Sequence, residues 1–242
     1  MLRVGVAGAL GKLGRAACSA IASAPDLTLA CGFARTAASA RDGSIPLYDD
    51  LGDFYDVGLD VVIDCTVYPT TIDVVRGAID SGVSPVIGAT GWTDEDLVSI
   101  SDRCDEAGVG ALLVPNFSVG AILMMRFAEQ AARLMPDAEI VEMHRATKLD
   151  KPSGTAKMTA KRIAAARGLD RGAVPIHSVR LPGMVAHQAT IFGGIGETLT
   201  IRHDSLSHDS FAAGIVLAAR NVRSLRGFQT GLDALMFPKE TV

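Results

Sequence analysis

The stretch Glu142-Met143-His144-Arg145-Ala146-Thr147-Lys148-Leu149-Asp150-Lys151-Pro152-Ser153-Gly154-Thr155-Ala156 gathers one imidazole and several cations just before a Ser-Gly-Thr sequence that can open a helix. A helix start offers unpaired N–H groups, and here hydroxyls as well, to an anion such as a carboxylate. His144 and Lys148 can supply a proton beside it. These residue types suit the reduction of an acidic substrate. A His followed by an Arg at a strand end is commonly a surface pair; the flanking Lys148, Ser153, Gly154 and Thr155 are what single out His144. Asp150 either caps the following turn or orients Lys148.

A second constellation stands at the N-terminus. Gly8-Ala9-Leu10-Gly11-Lys12-Leu13-Gly14 lies between a strand-like run and a helical one, the context in which glycines let a pyrophosphate approach a helix N-terminus. At the end of the second strand an Asp or Glu would bind a ribose 2′-OH, whereas Arg suits a 2′-phosphate. Here the sequence reads Gly32-Phe33-Ala34-Arg35-Thr36. Arg35, with Lys12 near the same phosphate, predicts NADPH in preference to NADH. Two further loops, Asp64-Cys65-Thr66 and Gly88-Ala89-Thr90-Gly91, follow strands at their carboxyl ends, where open α/β sheets bind ligands.

The elements that must position these residues change character midway. Strands are expected over 3–7, 27–33, 61–65, 85–87 and 110–114, and helices over 13–23, 70–81 and 94–107, the last capped by Thr93. Alternation of this kind specifies an α/β, Rossmann-type doubly wound parallel sheet. Beyond Pro115 the pattern predicts helices over 118–134 and 153–167, a strand over 138–144, and strands over 176–180, 187–192 and 197–203. That block reads as a second, α+β domain with a mixed or antiparallel sheet. The expected division is a dinucleotide-binding domain of residues 1–115 and 208–242, and a substrate-binding and oligomerisation domain of 116–207. The contacts of the terminal helix, over 211–222, are not readable from the sequence.

Composition narrows the class. With 48% hydrophobic and 21% charged residues, the chain has the balance of a folded globular protein, and a net charge of −4 gives no global basic field for nucleic acid. No membrane span or leader is expected, which suits a cytoplasmic protein. Cys18, Cys31, Cys65 and Cys104 are widely separated and read as buried free thiols, and the histidines show no metal spacing, so no metal is expected. His177, His187 and His203 lie on expected strands and read as structural, and Met124-Met125 as core.

Taken together, these motifs resemble the dihydrodipicolinate reductase family. The stretch from Glu142 to Ala156 is similar to that family's signature E-x-H-H-x-x-K-x-D-x-P-S-G-T-A. The N-terminal glycine turn, Val62-Ile63-Asp64-Cys65-Thr66, Gly88-Ala89-Thr90-Gly91, Pro115-Asn116-Phe117-Ser118-Val119-Gly120, and the run from Ser178-Val179-Arg180-Leu181-Pro182-Gly183 through Gly196-Glu197-Thr198-Leu199-Thr200-Ile201-Arg202-His203 follow in the same order. The resemblance implies a two-domain subunit in a homotetramer built through its C-terminal sheets. The cofactor would lie on the N-terminal domain, with Cys65, Thr66, Gly88, Ala89, Thr90, Asn116 and Phe117 joining the glycine turn. It implies NADPH, or NADH, as hydride donor to a small dicarboxylate, 4-hydroxy-tetrahydrodipicolinate, giving tetrahydrodipicolinate and water in lysine and diaminopimelate biosynthesis. His144 would be the acid, Lys148 would assist, and Ser153, Gly154 and Thr155 would hold a carboxylate.

Four positions depart from that pattern: Arg145 replaces the second histidine, Cys65 an aromatic, Ala89 a threonine, and His208 an arginine before the last helix. Arg145 can still bind a substrate carboxylate through its fork of donors. Two alternatives therefore stay open: a paralogous reductase of a related cyclic imine acid, and a non-catalytic NADP-binding protein.

Overall fold

Short β-branched runs separated by amphipathic helices build a parallel sheet in the first part of the chain. The computed structural model describes residues 1–35, 45–170 and 173–237; Thr36, which follows Arg35 in the sequence, lies outside the described residues. In chain order the sheet unit contains β1 (Leu2–Ala7), α1 (Lys12–Ser23), β2 (Leu27–Phe33), β3 (Leu47–Tyr48), α2 (Leu51–Asp56), β4 (Val61–Asp64), α3 (Thr70–Asp80), β5 (Ser84–Ile87), α4 (Asp94–Ala107) and β6 (Ala111–Leu113). The seven strands lie in the order β11-β6-β5-β4-β1-β2-β3, where β11 (Phe228–Thr230) comes from the end of the chain. All neighbours are parallel. Strand order reverses between β1 and β4, so the carboxyl ends of these two strands form the switch point where such sheets bind ligands.

This unit comprises Met1–Phe117 and the chain from Phe211 onward. Its core is layered. Phe33, Phe54, Tyr55, Val62 and Val74 fill one side, and Phe33 and Phe54 meet with ring centroids 5.8 Å apart. Val75, Ile79, Ile87, Ile100 and Cys104 bury α3 and α4. The terminal helix α7 (Ala212–Asn221) packs on α1, and Arg220 donates two hydrogen bonds to Asp26, at 2.8 and 2.6 Å. A 3₁₀ turn flanks it at each end, and α8 (Asp233–Met236) follows β11.

The Thr93 cap expected from sequence is present as a reciprocal box: Thr93 Oγ1 accepts from Asp96 N at 3.1 Å and the Asp96 carboxylate accepts from Thr93 N at 3.1 Å. Thr93→Ala is expected to lower stability by about 1 kcal/mol, readable as a lower urea midpoint at unchanged slope.

The second unit is Ser118–Ser210. It holds α5 (Val119–Ala131), β7 (Asp137–His144), α6 (Gly154–Ala166), β8 (Ile176–Arg180), β9 (Ala186–Gly194) and β10 (Glu197–Ser205). The sheet order is β10-β9-β7-β8, with β7 parallel to β8 and antiparallel to β9, which is antiparallel to β10. The mixed sheet expected from sequence is thus present, its parallel pair joined through α6. Small residues let the helices settle closely on the sheet: Ala128, Ala132, Ala156, Ala160 and Ala164 pack with Ile140, Ile163 and Phe192. Met124 and Met125 are buried as core.

The cysteines are all free, but only Cys31 and Cys104 are buried; Cys18 and Cys65 are partly exposed, a correction to the expectation of four buried thiols.

Candidate active site

Strand alternation along β7 turns Ala138, Ile140 and Glu142 toward the helices, a face that should carry only apolar side chains. Glu142 is nevertheless 0% exposed. The neighbouring parallel strand answers it. In the β7–β8 register His144 stands opposite Arg180, and Arg180 grips both Glu142 oxygens, Nη2 to Oε1 at 2.8 Å and Nη1 to Oε2 at 2.9 Å. Glu142 Oε2 also bonds His144 Nδ1. Burial works to raise the Glu142 pKa, but hydrogen bonds from Arg180, Ser178 and His144 outweigh it and hold the carboxyl below its ordinary value. Removing either partner of so buried a pair would leave an uncompensated charge, at a cost of about 3–5 kcal/mol.

Bonded to a carboxylate, His144 Nδ1 carries its proton, and Nε2 is left for exchange with a substrate. Burial lowers the His144 pKa; Glu142 opposes that shift, and the charges of Lys148 and Arg180 reinforce it. Its charged, proton-donating form is therefore lost as pH rises through a value below the ordinary histidine range.

The loop after β7 is tied to the same arginine. Arg180 Nη2 donates to Asp150 O at 2.7 Å and Nε to Lys148 O at 3.3 Å. Lys148 Nζ pairs with Asp150 Oδ1 at 2.7 Å, so Asp150 orients Lys148; the helix cap is a different residue. Ser153 caps α6, its hydroxyl accepting from Ala156 N at 3.2 Å, and it is buried at 3% exposure. Gly154 is exposed, and a Cβ placed there would meet nothing within 4 Å. No acidic side chain stands in the first turn of α6. With Ser153 engaging only the Ala156 N–H, the positive dipole end of α6 still faces outward beside Gly154, and such a helix start suits a carboxylate. Arg145 is exposed and Thr155 half-buried.

The glycine turn of the first unit fits a dinucleotide. Gly8 has φ +76°, and a Cβ on it would lie 2.7 Å from Cys65 O; a Cβ on Gly14 would lie 2.0 Å from Gly8 O. Bare backbone is thus required both by the turn's close approach to Cys65 and by the close packing of α1 on the turn itself. The N-cap of α1, Gly11, supplies no side-chain bond, and the first turn holds no acid, so its N–H groups remain for an anion. Arg15 Nε donates to Leu10 O at 3.1 Å and steadies the loop. Lys12 and Arg35 are exposed, while Ala9 is buried and Leu10 and Leu13 are half-buried.

At the neighbouring strand end a buried Asp64 organises the loop: Thr66 gives it two bonds, from N at 3.0 Å and Oγ1 at 2.6 Å, and Thr71 Oγ1 a third. Burial raises the Asp64 pKa against those bonds. Gly88 N donates to Asp64 O at 2.8 Å, and a Cβ on Gly88 would meet the Phe117 ring at 2.8 Å. Phe117 is therefore a buried support beneath Gly88. Ala89 is buried, its carbonyl accepting from Trp92 Nε1 at 3.2 Å; Thr90 is exposed and Asn116 half-buried.

The remaining histidines have structural partners. His187 Nε2 accepts from Val185 N at 3.2 Å, so its Nδ1 donates to Asp204 at 2.7 Å. His177 pairs with Glu139 at 2.8 Å and His203 with Ser118 at 3.2 Å. His208 sits in the 3₁₀ turn His208–Phe211. Among the described residues no cluster of three or more His, Cys, Asp or Glu could hold a metal, and no helix is long and apolar enough to cross a membrane. Sequence reasoning missed Glu142, Arg180 and Asp64 as members of these sites. The available signal was a charged residue in phase with the apolar face of a strand.

Comparison with known proteins finds relatives along nearly the whole chain. Residues 2–117 match the family model "Dihydrodipicolinate reductase, N-terminus" and residues 120–235 the model "Dihydrodipicolinate reductase, C-terminus". The chain is 40% identical over 273 residues to a 4-hydroxy-tetrahydrodipicolinate reductase of Halalkalibacterium halodurans, covering 100% of this chain and 99% of that one. It is 41% identical over 254 residues to the protein of the same name from Mycobacterium sp. (strain JLS), covering 97% and 99%. A dipicolinate-bound dihydrodipicolinate reductase from Paenisporosarcina sp. TG-14 has a similar structure, with a TM-score of 0.85, 34% identity and coverage of 96% and 98%.

Proposed function

The chain belongs to the dihydrodipicolinate reductase family, and we propose that it catalyses the NAD(P)H-dependent reduction of 4-hydroxy-tetrahydrodipicolinate to tetrahydrodipicolinate and water in lysine and diaminopimelate biosynthesis. The observation that carries this reading is the bonded series Glu142, His144 and Arg180, with Lys148 on a loop tied to Arg180, in a chain that matches reductases of that name over its full length.

A bound nicotinamide would supply a hydride to the substrate ring carbon conjugated with the ring nitrogen. The chain's own residues do the rest. His144 holds the transferable proton at Nε2, its Nδ1–H committed to Glu142. Lys148 contributes positive charge toward an anionic substrate. Gly154 and Thr155, at the opening of α6, receive one carboxylate, with the Ser153 hydroxyl proton still free to donate. Arg145 offers a bidentate fork to a carboxylate; a histidine at that position would lack such a fork. The backbone of residues 8–14 receives the pyrophosphate, and the loops containing Cys65, Thr66, Gly88, Ala89, Thr90, Asn116 and Phe117 line or support the rest of the cofactor site.

NADPH is the preferred cofactor, because Arg35 presents a guanidinium where a carboxylate would favour NADH. Arg35→Ala is expected to raise the KM for NADPH by about tenfold, a loss of roughly 1.4 kcal/mol, with little change for NADH. Equal KM changes for both cofactors would contradict this role. The assembly is a homotetramer formed through the face of the second sheet away from α5 and α6, where Ile191 is 37% exposed. Four free cysteines suit the reducing cytoplasm.

The reading is tested by adding the purified protein to the product of dihydrodipicolinate synthase with NADPH or NADH. Oxidation of NADPH that depends on the synthase product supports it. Cofactor binding with no turnover contradicts it.

A further inference from the structure

The geometry points to Glu142 and Arg180 as positioning residues, one buried ion pair that fixes the proton on His144 Nδ1 and holds the Lys148 loop beside that ring. The inference rests on the proposed reductase reading for its catalytic consequence, and on contacts within the second unit for its structure.

Glu142 has no other visible purpose. A fully buried carboxylate within an apolar strand face costs free energy that an aliphatic residue would not. Both of its oxygens are engaged, Oε1 by Arg180 and Oε2 by Arg180 and His144. Arg180, 5% exposed in its side chain, then spends its remaining donors on three backbone carbonyls, those of Val179, Lys148 and Asp150. A single guanidinium therefore joins the strand bearing His144 to the loop bearing Lys148. Lys148 N also donates to Arg145 O at 3.0 Å, and Leu181 N to His144 O at 3.1 Å, closing the loop on the strand ends.

The groups facing His144 are few. From its own strand comes Glu142; from β8, Arg180; from the loop, Lys148. Its register partner on β9 is Ala186, which carries no charge. Glu142 is thus the one neighbour among these that favours the protonated ring, acting against burial and two cations. Without its charge the protonated form becomes scarcer, and a glutamine amide that turns its NH2 toward Nδ1 lets the ring accept there and carry its proton on Nε2.

Three proteins carry the test: the full-length chain, Glu142→Gln, and the double variant Glu142→Gln/Arg180→Met, in which neither partner is left as an unpaired charge. Nitrogen-15 NMR of the histidines, with His144 assigned by its disappearance in His144→Gln, reads the tautomer without turnover. The expected result is an Nδ1–H ring in the parent protein and a mixed or Nε2–H ring in both variants. In the coupled assay kcat is expected to fall about 10- to 100-fold, within what acid catalysis contributes, at nearly constant KM for NADPH. The limb on which kcat falls with rising pH is expected to move to lower pH in Glu142→Gln, because the one neighbour that favours the protonated ring has lost its charge. The double variant should regain the thermal stability of the parent while remaining slow. A double variant that recovers both stability and kcat would overturn the positioning role and leave a purely structural pair. So would an unchanged His144 tautomer in Glu142→Gln. An inactive parent protein would count against the reductase reading alone, because the NMR arm still decides the positioning.

Discussion

Replacing His144 by glutamine is expected to lower kcat for reduction by about 10²- to 10⁴-fold, the contribution of a positioned acid, or roughly 3–5 kcal/mol of barrier. NADPH affinity should not change, because the residues that fit the pyrophosphate belong to the other unit. The side chain of glutamine keeps a hydrogen-bonding end that can reach toward Glu142, so the buried carboxylate is not abandoned. It cannot deliver a proton as an imidazolium does. The measurement is kcat and KM in the coupled assay together with NADPH binding by fluorescence. A parallel loss of binding and kcat would mean that the substitution had disturbed the fold.

The second large effect is expected at Gly14. Within a helix, alanine is normally favoured over glycine by about 1 kcal/mol, so Gly14→Ala would stabilise the protein if space allowed. Here the added Cβ would lie 2.0 Å from Gly8 O and 2.9 Å from Ala9 Cα, contacts that only movement of α1 away from β1 can relieve. The sign therefore reverses: a destabilisation of about 1–3 kcal/mol, with NADPH binding weakened at least tenfold as the N–H groups of the turn shift. Gly82→Ala separates the causes. Gly82 has φ +70° but nothing within 4 Å of an added Cβ, so its substitution strains the backbone without touching the glycine turn. Comparable stability losses with NADPH binding lost only in Gly14→Ala would isolate the packing effect.

The doubly wound parallel class and the longer helices were legible because long periodic segments announce themselves: α4 spans Asp94–Ala107 as expected, cap included. What escaped was short. β3 has two residues, β11 three and α8 four, too few to show a period of either kind. α2, six residues starting after an Asp50 cap, was likewise absent from the expectation. These pieces take their structure from neighbours already in place. β3 pairs with β2 through Gly32 and Phe33, and β11 lies along β6.

The site followed the same division. His144, Lys148 and the Ser153 turn are close in sequence and could be read as a group. Arg180 is 38 positions from Glu142 and becomes its neighbour only through the parallel pairing of β7 with β8. Glu142 itself lay in plain view within Glu139-Ile140-Val141-Glu142-Met143-His144. Its meaning depends on register, since Glu139 is exposed and pairs with His177 while Glu142 is wholly buried. Asp150 shows the reverse case: two roles were open in the sequence, and the bond to Lys148 selects one.

Three of the four departures from the family pattern fall where they do little structural harm. Arg145 is exposed, and Ala89 is buried with its carbonyl fixed by Trp92. The backbone of Cys65 lies against Gly8, where an added Cβ would meet its carbonyl oxygen at 2.7 Å. These placements favour retention of the family's chemistry over the paralogous and non-catalytic alternatives.

The most direct test follows the hydride. NADPH deuterated at the transferable position of nicotinamide C4 is incubated with the protein and the product of dihydrodipicolinate synthase, and the products are weighed by mass spectrometry. Tetrahydrodipicolinate carrying one deuterium, formed in step with oxidation of the cofactor, is the predicted result. Consumption of the cofactor with no label in that product, or no consumption at all, would contradict the account.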